Sequence, residues 1–213
     1  MTLDLSFQLE EDLAAIVDGI RDDDGAPPIE LARRGVAAVV ALTDKEHYER
    51  PLHIWMEVQG LARALLAARP ECMPVVNLAS ATVEPLPVLY GRGKDEGGRM
   101  RADLRTRALE WLAALNERAE RIDASRSSSH AVSAWAMSAE TVYLKGDPPS
   151  APWVVVAGPE KWVPGNYEFP AGGFTSLPLA SVSGVLTGEA DAPESVEAIR
   201  TRIATLRFAP TLL

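Results

Sequence analysis

The chain has 213 residues, 47% of them apolar and 24% charged, which is ordinary for a soluble globular protein built from one large or two small domains. Its formal net charge of −9 argues against direct binding of nucleic acid or of an anionic membrane, since both present negative charge to the protein. Cys72 is the only cysteine, so no intramolecular disulfide forms and nothing calls for an oxidising compartment. The start Met1-Thr-Leu-Asp-Leu-Ser6 lacks a basic, apolar leader, and no apolar run approaches the roughly 18 residues of a spanning helix. Together these features point to the cytoplasm, with no membrane partner.

Two textures follow one another along the chain. From Gln8 to Arg121 apolar residues recur at helical spacing, first as Leu9, Leu13, Ile16, Val17 and Ile20, then as Leu31, Val36, Val39 and Val40, then as Ile54, Val58, Leu61 and Leu65. Asp44 is expected to cap the third of these helices, with Glu46 and His47 in its first turn, and Pro70 and Pro85 end their helices. A fourth helix carries Met73, Val76 and Val83. A last long one carries Leu104, Leu109, Leu112, Leu115 and Ile122. Residues 1–124 therefore read as a helical bundle.

Residues 125–213 read as a small α/β domain. Ser127 to Ser138 is expected as a helix, Thr141 to Leu144 as a short strand, Trp153 to Ala157 as a strong strand, and Ser181 to Thr187 as another. The β-branched run at Trp153–Ala157 shows no alternation, so both of its faces should be covered, as in a central strand with helices on each side. Asp191 is expected to cap a closing helix whose buried stripe is Val196, Ile199, Ile203 and Leu206. Three strands are few for a sheet, so either it pairs with another chain or the helical half covers it.

Several segments have a composition that suits chemistry. The strand at Trp153–Ala157 ends in Gly158-Pro-Glu-Lys-Trp-Val-Pro-Gly165, placing Glu160 and Lys161 at a strand's carboxyl end, where open α/β sheets bind ligands. The competing reading is a solvated turn. Asp147 follows a strand and suits an acid or base, or simply a turn before Pro148. Asp22-Asp-Asp24 carries three carboxylates, but consecutive side chains diverge, so capping of the helix near Ile29 is favoured over Mg²⁺. The loop Gly91-Arg-Gly-Lys-Asp-Glu-Gly-Gly-Arg99 lacks a preceding strand and a Ser or Thr after Lys94, so it reads as a connection rather than a phosphate loop. Ser128 and His130 lie in a serine-rich segment that caps a helix or receives an anionic group, with no Gly-x-Ser-x-Gly elbow nearby. His47, His53 and His130 have no metal-ligand spacing with Cys72, and no metal or cofactor is expected.

Taken in order, these pieces resemble the translation initiation factor 2B alpha/beta/delta family, which includes methylthioribose-1-phosphate and ribose-1,5-bisphosphate isomerases. Ile20-Arg-Asp-Asp-Asp-Gly-Ala-Pro-Pro-Ile-Glu-Leu-Ala-Arg-Arg34 resembles the family's acidic entry to a helix. Leu61-Ala-Arg-Ala-Leu-Leu-Ala-Ala-Arg-Pro-Glu-Cys-Met-Pro-Val-Val-Asn-Leu-Ala79 resembles an "ARPS-M-P-NLA" signature, Val155–Pro164 the last core strand with its Lys-aromatic loop, and Leu177–Thr187 the closing strand. The resemblance implies a truncated Rossmann-like second domain after the helices. It also implies a sugar-phosphate or nucleotide ligand touching Gly25, Ala26, Ser128, His130, Glu160 and Lys161, and association into a homo-oligomer or with a related subunit. Cys72 does not match the isomerases' cysteine, and Gly146-Asp147 is followed by Pro148-Pro149 rather than leading to Asn-Lys. The expected function is accordingly a non-catalytic ligand-sensing or assembly subunit. A sugar-phosphate isomerase using Asp147 with Lys161 or His130 is the alternative, and a structural domain without ligand is the third.

Overall fold

The structure is a computed structural model and describes residues 9–47, 49–83, 95–125, 131–150, 152–168 and 172–208. Five helices come first: α1 (Glu11–Asp22), α2 (Pro28–Thr43), α3 (Pro51–Ala68), α4 (Met73–Val83) and α5 (Asp95–Ser125). Six short strands follow, β1 (Ala131–Ser133), β2 (Ala136–Met137), β3 (Thr141–Lys145), β4 (Val154–Val156), β5 (Phe174–Pro178) and β6 (Gly184–Leu186), and α6 (Val196–Thr205) closes the order. A helical part followed by an α/β part is the expected order of the fold. The chain divides into two compact units, one holding residues up to Pro70 and from Leu78 to Leu112, the other holding 71–77 and 113–208.

In the helical unit α1 packs on α2 and α3 through Leu13, Val17 and Ile20, one stripe at helical spacing. Proline opens both α2 and α3 at the first helical position, where its missing amide costs nothing. Asp44 ends α2 rather than capping α3, and its amide reaches back to Val40 and Ala41. Six residues separate Asp44 from Pro51, which starts α3 with Arg50 as its uncapped N-terminal flank. Lys45 beside it fastens the start of α1, with Nζ 2.7 Å from a Glu10 carboxylate oxygen and 2.6 Å from one of Asp12. His47 Nε2 lies 2.9 Å from the other oxygen of Glu10.

The α/β unit contains two three-stranded sheets. One is parallel, in the order β1-β4-β6, with Val154 opposite Ala131 and Gly184. The other is antiparallel, in the order β2-β3-β5. A bridge between Met137 and Trp162 links them, closed by the Val163 amide donating to the Met137 carbonyl at 2.9 Å. β4 is the central strand of the parallel sheet, as its unbroken valine run predicts. Val155 faces a core that includes Ile199 and Ile203 of α6, while Val154 and Val156 face Ile122 of α5 and Leu186.

Three expectations are corrected. Residues 131–138 form β1 and β2, not a helix: Ala and Met are good helix formers, yet parallel pairing of Ala131–Ser133 with β4 wins over local propensity. Residues 126–130 lie outside those described. α6 is capped by Ser195 rather than Asp191, its Oγ accepting from the Ala198 amide at 3.3 Å, because the chain still bridges from Glu194 to Val185 of β6 before the helix starts. Leu206 falls beyond the helix and is 43% exposed. The strand β5 escapes sequence pattern altogether, since Gly172 and Gly173, both with positive φ, precede it and Pro178 ends it.

Gly97 in the first turn of α5 sits against the main chain of residues 49 and 50, and a Cβ there would lie 2.0 Å from the Glu49 carbonyl oxygen. Alanine normally gains about 1 kcal/mol over glycine inside a helix. Overpacking against backbone costs about 1–3 kcal/mol or more, so Gly97→Ala is expected to lower the denaturation midpoint, whereas Gly98→Ala, with open space around its Cβ position, is expected to raise it. Urea titration of the two variants checks the opposite signs.

The Lys45 cluster also sets a pH dependence. The hydrogen bond from Lys45 holds the Asp12 carboxyl below its usual value, and the Asp12 and Glu10 carboxylates hold Lys45 above its own. A lowered carboxyl contributes stability above its unfolded value of 3.8 that is lost as pH falls through its folded value; a raised amine contributes below 10.5 and loses it as pH rises through its folded value. The melting-temperature gap between the wild type and Lys45→Met is therefore expected to be widest near neutral pH and to shrink at both extremes. A gap unchanged in acid would remove Asp12 from the account.

Candidate functional site

The carboxyl edge of the parallel sheet is where a ligand site is expected. After β4 the chain leaves Ala157 and Gly158 for a single 3₁₀ turn, Pro159–Lys161, before Trp162 and Val163 return to the core. Proline at the first position of that turn presets it. The turn aims Glu160 inward. Its side chain is 6% exposed and pairs with the Arg118 guanidinium of α5, Nε to Oε2 at 3.3 Å. Gly158 is the reason the carboxylate fits, because a Cβ at that position would lie 2.4 Å from Oε2 and 2.8 Å from Oε1.

Three further side chains complete the arrangement. Asn77 of α4 donates from Nδ2 to the Glu160 carbonyl at 2.6 Å and to the Trp162 carbonyl at 3.1 Å. The Trp162 indole N–H donates to the Ala157 carbonyl at 3.1 Å, and the Arg202 guanidinium lies over the Trp162 ring at 5.0 Å. Three carbonyls of an irregular segment thus find donors inside the protein, which a buried loop requires. Lys161 turns the other way. Its Nζ donates to Ser133 Oγ at the end of β1, at 3.0 Å, on the exposed side.

The remaining predicted residues have separate surroundings. Asp147 is exposed in the turn after β3, with Gly146 at φ 86° before it, and β3 belongs to the antiparallel sheet rather than to the one that carries Glu160 and Lys161. Gly25 and Ala26, in the helical unit, direct their amides to Asp23 Oδ1 at 3.1 and 2.9 Å. Arg34 lies 2.9 Å from Asp23 Oδ2 and is the main cause of the Asp23 carboxyl titrating below its usual range. That geometry is an Asx turn in the segment before α2; it does not cap the helix, whose N-terminal flank is Pro27 with no side-chain cap. Ser128 and His130 lie outside the described residues, as does the loop from Gly91 to Lys94. Among the described residues no group of three or more His, Cys, Asp and Glu could hold a metal ion, and no helix is long and apolar enough to cross a membrane.

Asn77, Arg118 and Gly158 are the residues that pattern reading passes over. Asn77 had a signal, being the one polar side chain in Met73-Pro-Val-Val-Asn-Leu-Ala79, an otherwise apolar stretch that faces a core. Arg118 had none, sitting among Glu117, Arg118, Glu120 and Arg121 on a charged helix.

A helical first half followed by an α/β unit, with a central parallel strand closed on both faces, defines the class of fold. No family model matches the chain, and no curated protein matches it in sequence. Among solved structures it is similar to the translation initiation factor eIF-2B of Pyrococcus horikoshii OT3, with a TM-score of 0.59 and 15% sequence identity, over 84% of this chain and 96% of that one. The fold is therefore like that of eIF-2B.

The buried pair gives a direct test. Arg118→Ala strands the Glu160 carboxylate and is expected to cost about 3 kcal/mol, whereas the double replacement Arg118→Leu with Glu160→Leu should recover much of that loss. Gly158→Ala should behave like the single variant. Chemical denaturation of the three proteins measures it, and additive losses in the double variant would show that the two groups do not interact.

Proposed function

We propose that this protein is a non-catalytic, initiation factor 2B-like subunit of the cytoplasm that acts through assembly with copies of itself or related subunits and through sensing of a phosphorylated small molecule. The observation that carries this reading is the orientation of Glu160. The Glu160 carboxylate, just beyond the carboxyl end of β4, is buried and paired with Arg118. Proton transfer between neighbouring sugar carbons needs a positioned acid and base. Asp147 stands in the turn after a strand of the other sheet, and no described side chain forms an ion pair or hydrogen bond with it. Fold similarity to eIF-2B supports the family reading, and the wider family holds members of both kinds. Lys161, in the turn after β4, and Ser133, the last residue of β1, are polar groups on the exposed side that suit an anionic ligand.

Light scattering at micromolar concentration and an isomerisation assay on aldose-1-phosphates test the proposal together. A stable oligomer and no turnover are expected. Turnover that disappears in Asp147→Asn would restore the isomerase, and a compact monomer with no melting shift from any sugar phosphate or nucleotide would leave a plain structural domain.

A further inference from the structure

A groove of about 410 Å³ runs between α1 and α3 in the helical unit. Its volume falls in the range of roughly 300–1,000 Å³ typical of small-molecule sites. Val17, Gly60 and Ala64 line it, and the small residues on α3 leave space that larger side chains would fill. Asp18, Arg21 and Arg63 supply the polar part of the lining. Arg21 forms an ion pair with Asp18 one turn before it, which neutralises both. Arg63 is exposed and, among the described residues, has no ion-pair or hydrogen-bond partner. The groove thus combines an apolar wall with one guanidinium that no described residue pairs, in a chain whose net charge is −9.

We propose that this groove binds a small amphipathic monocarboxylate, its apolar body along Val17, Gly60 and Ala64 and its carboxylate on Arg63. Charge decides the choice of occupant. A neutral apolar ligand would leave Arg63 unused, and a cation would meet it with like charge. A carboxylate gains a forked, two-bond contact with the guanidinium that an alcohol of the same length lacks. The site is separate from the edge of the parallel sheet and stands whether or not the assembly reading holds.

Titration calorimetry on the full chain with octanoate, and with 1-octanol as the uncharged control, tests it. Octanoate is expected to bind saturably at one site and more tightly than octanol. Arg63→Gln, at an exposed position, should weaken octanoate about two- to fivefold, the scale of an exposed ion pair, and leave octanol unchanged. Ala64→Leu should abolish both without altering the far-ultraviolet dichroism. Equal affinity for acid and alcohol, no saturable binding, or octanoate binding that survives Ala64→Leu would each overturn the proposal. So would a concentration-dependent dimer dispersed by Ala64→Leu, which would give the groove to a second copy of the chain.

Discussion

The α/β unit depends on one constraint, that β4 is packed on both faces. Its three valines alternate between two apolar clusters, Val155 toward α6 and Trp162, Val154 and Val156 toward Ile122 of α5 and Leu186. Fully burying a valine side chain is worth about 1.5–3 kcal/mol, so a three-residue strand of this kind is a strong organiser for its length. The main chain must be satisfied at the same time. Parallel partners on both edges do this, with β1 on one side and β6 on the other. The outer edge of β6 is in turn closed by Glu194, through bonds of 3.0 and 2.8 Å with Val185, so the hydrogen-bond ladder ends inside the unit.

A strand buried on both faces has a difficult exit, because the first residues after it are still inside the protein but are no longer paired in a sheet. The polar joint around Glu160 answers that difficulty. Asn77 takes the carbonyls of Glu160 and Trp162, the Trp162 indole takes that of Ala157, and Arg118 meets the charge of the inward carboxylate. A buried ion pair is seldom a net gain over apolar packing, since desolvation offsets most of the attraction. What it provides is selectivity among arrangements. A loop shifted by one residue would bury Lys161 or Pro159 where the carboxylate belongs and would leave Arg118 uncompensated.

Much of this architecture was legible in the residues because it follows from periodicity. The stripes of α1, α2 and α3 and the unbroken run of β4 are properties of neighbours in sequence, and each was found where its pattern lies. The misses share a different cause. Apart from Val132, β1 and β2 hold residues with little strand preference, and they are strands because β4 and β3 are beside them. Asp44, a good helix starter by type, became a helix end because the chain still had to travel to Pro51. For the site, the strand end was visible but the direction of Glu160 was not. That direction is set by Gly158 two residues earlier and by Arg118 forty-two residues away in sequence, contacts that no local periodicity announces.

The same comparison bears on how far a fold carries function. At 15% identity the similarity to eIF-2B reflects constraints that many sequences satisfy, namely a helical half and a parallel sheet with a doubly covered strand. Chemistry on such a sheet comes from the side chains at its carboxyl edge, and in this chain the carboxylate at that edge is committed to holding the loop. Glu160 cannot both neutralise Arg118 beneath Gly158 and face a substrate, since turning it outward would leave a guanidinium 16% exposed without its counter-charge. The acidic half of any acid–base pair at this edge would have to come from elsewhere. The outward groups at the same edge, Lys161 and Ser133, are donors, suited to holding an anion more than to moving a proton between carbons.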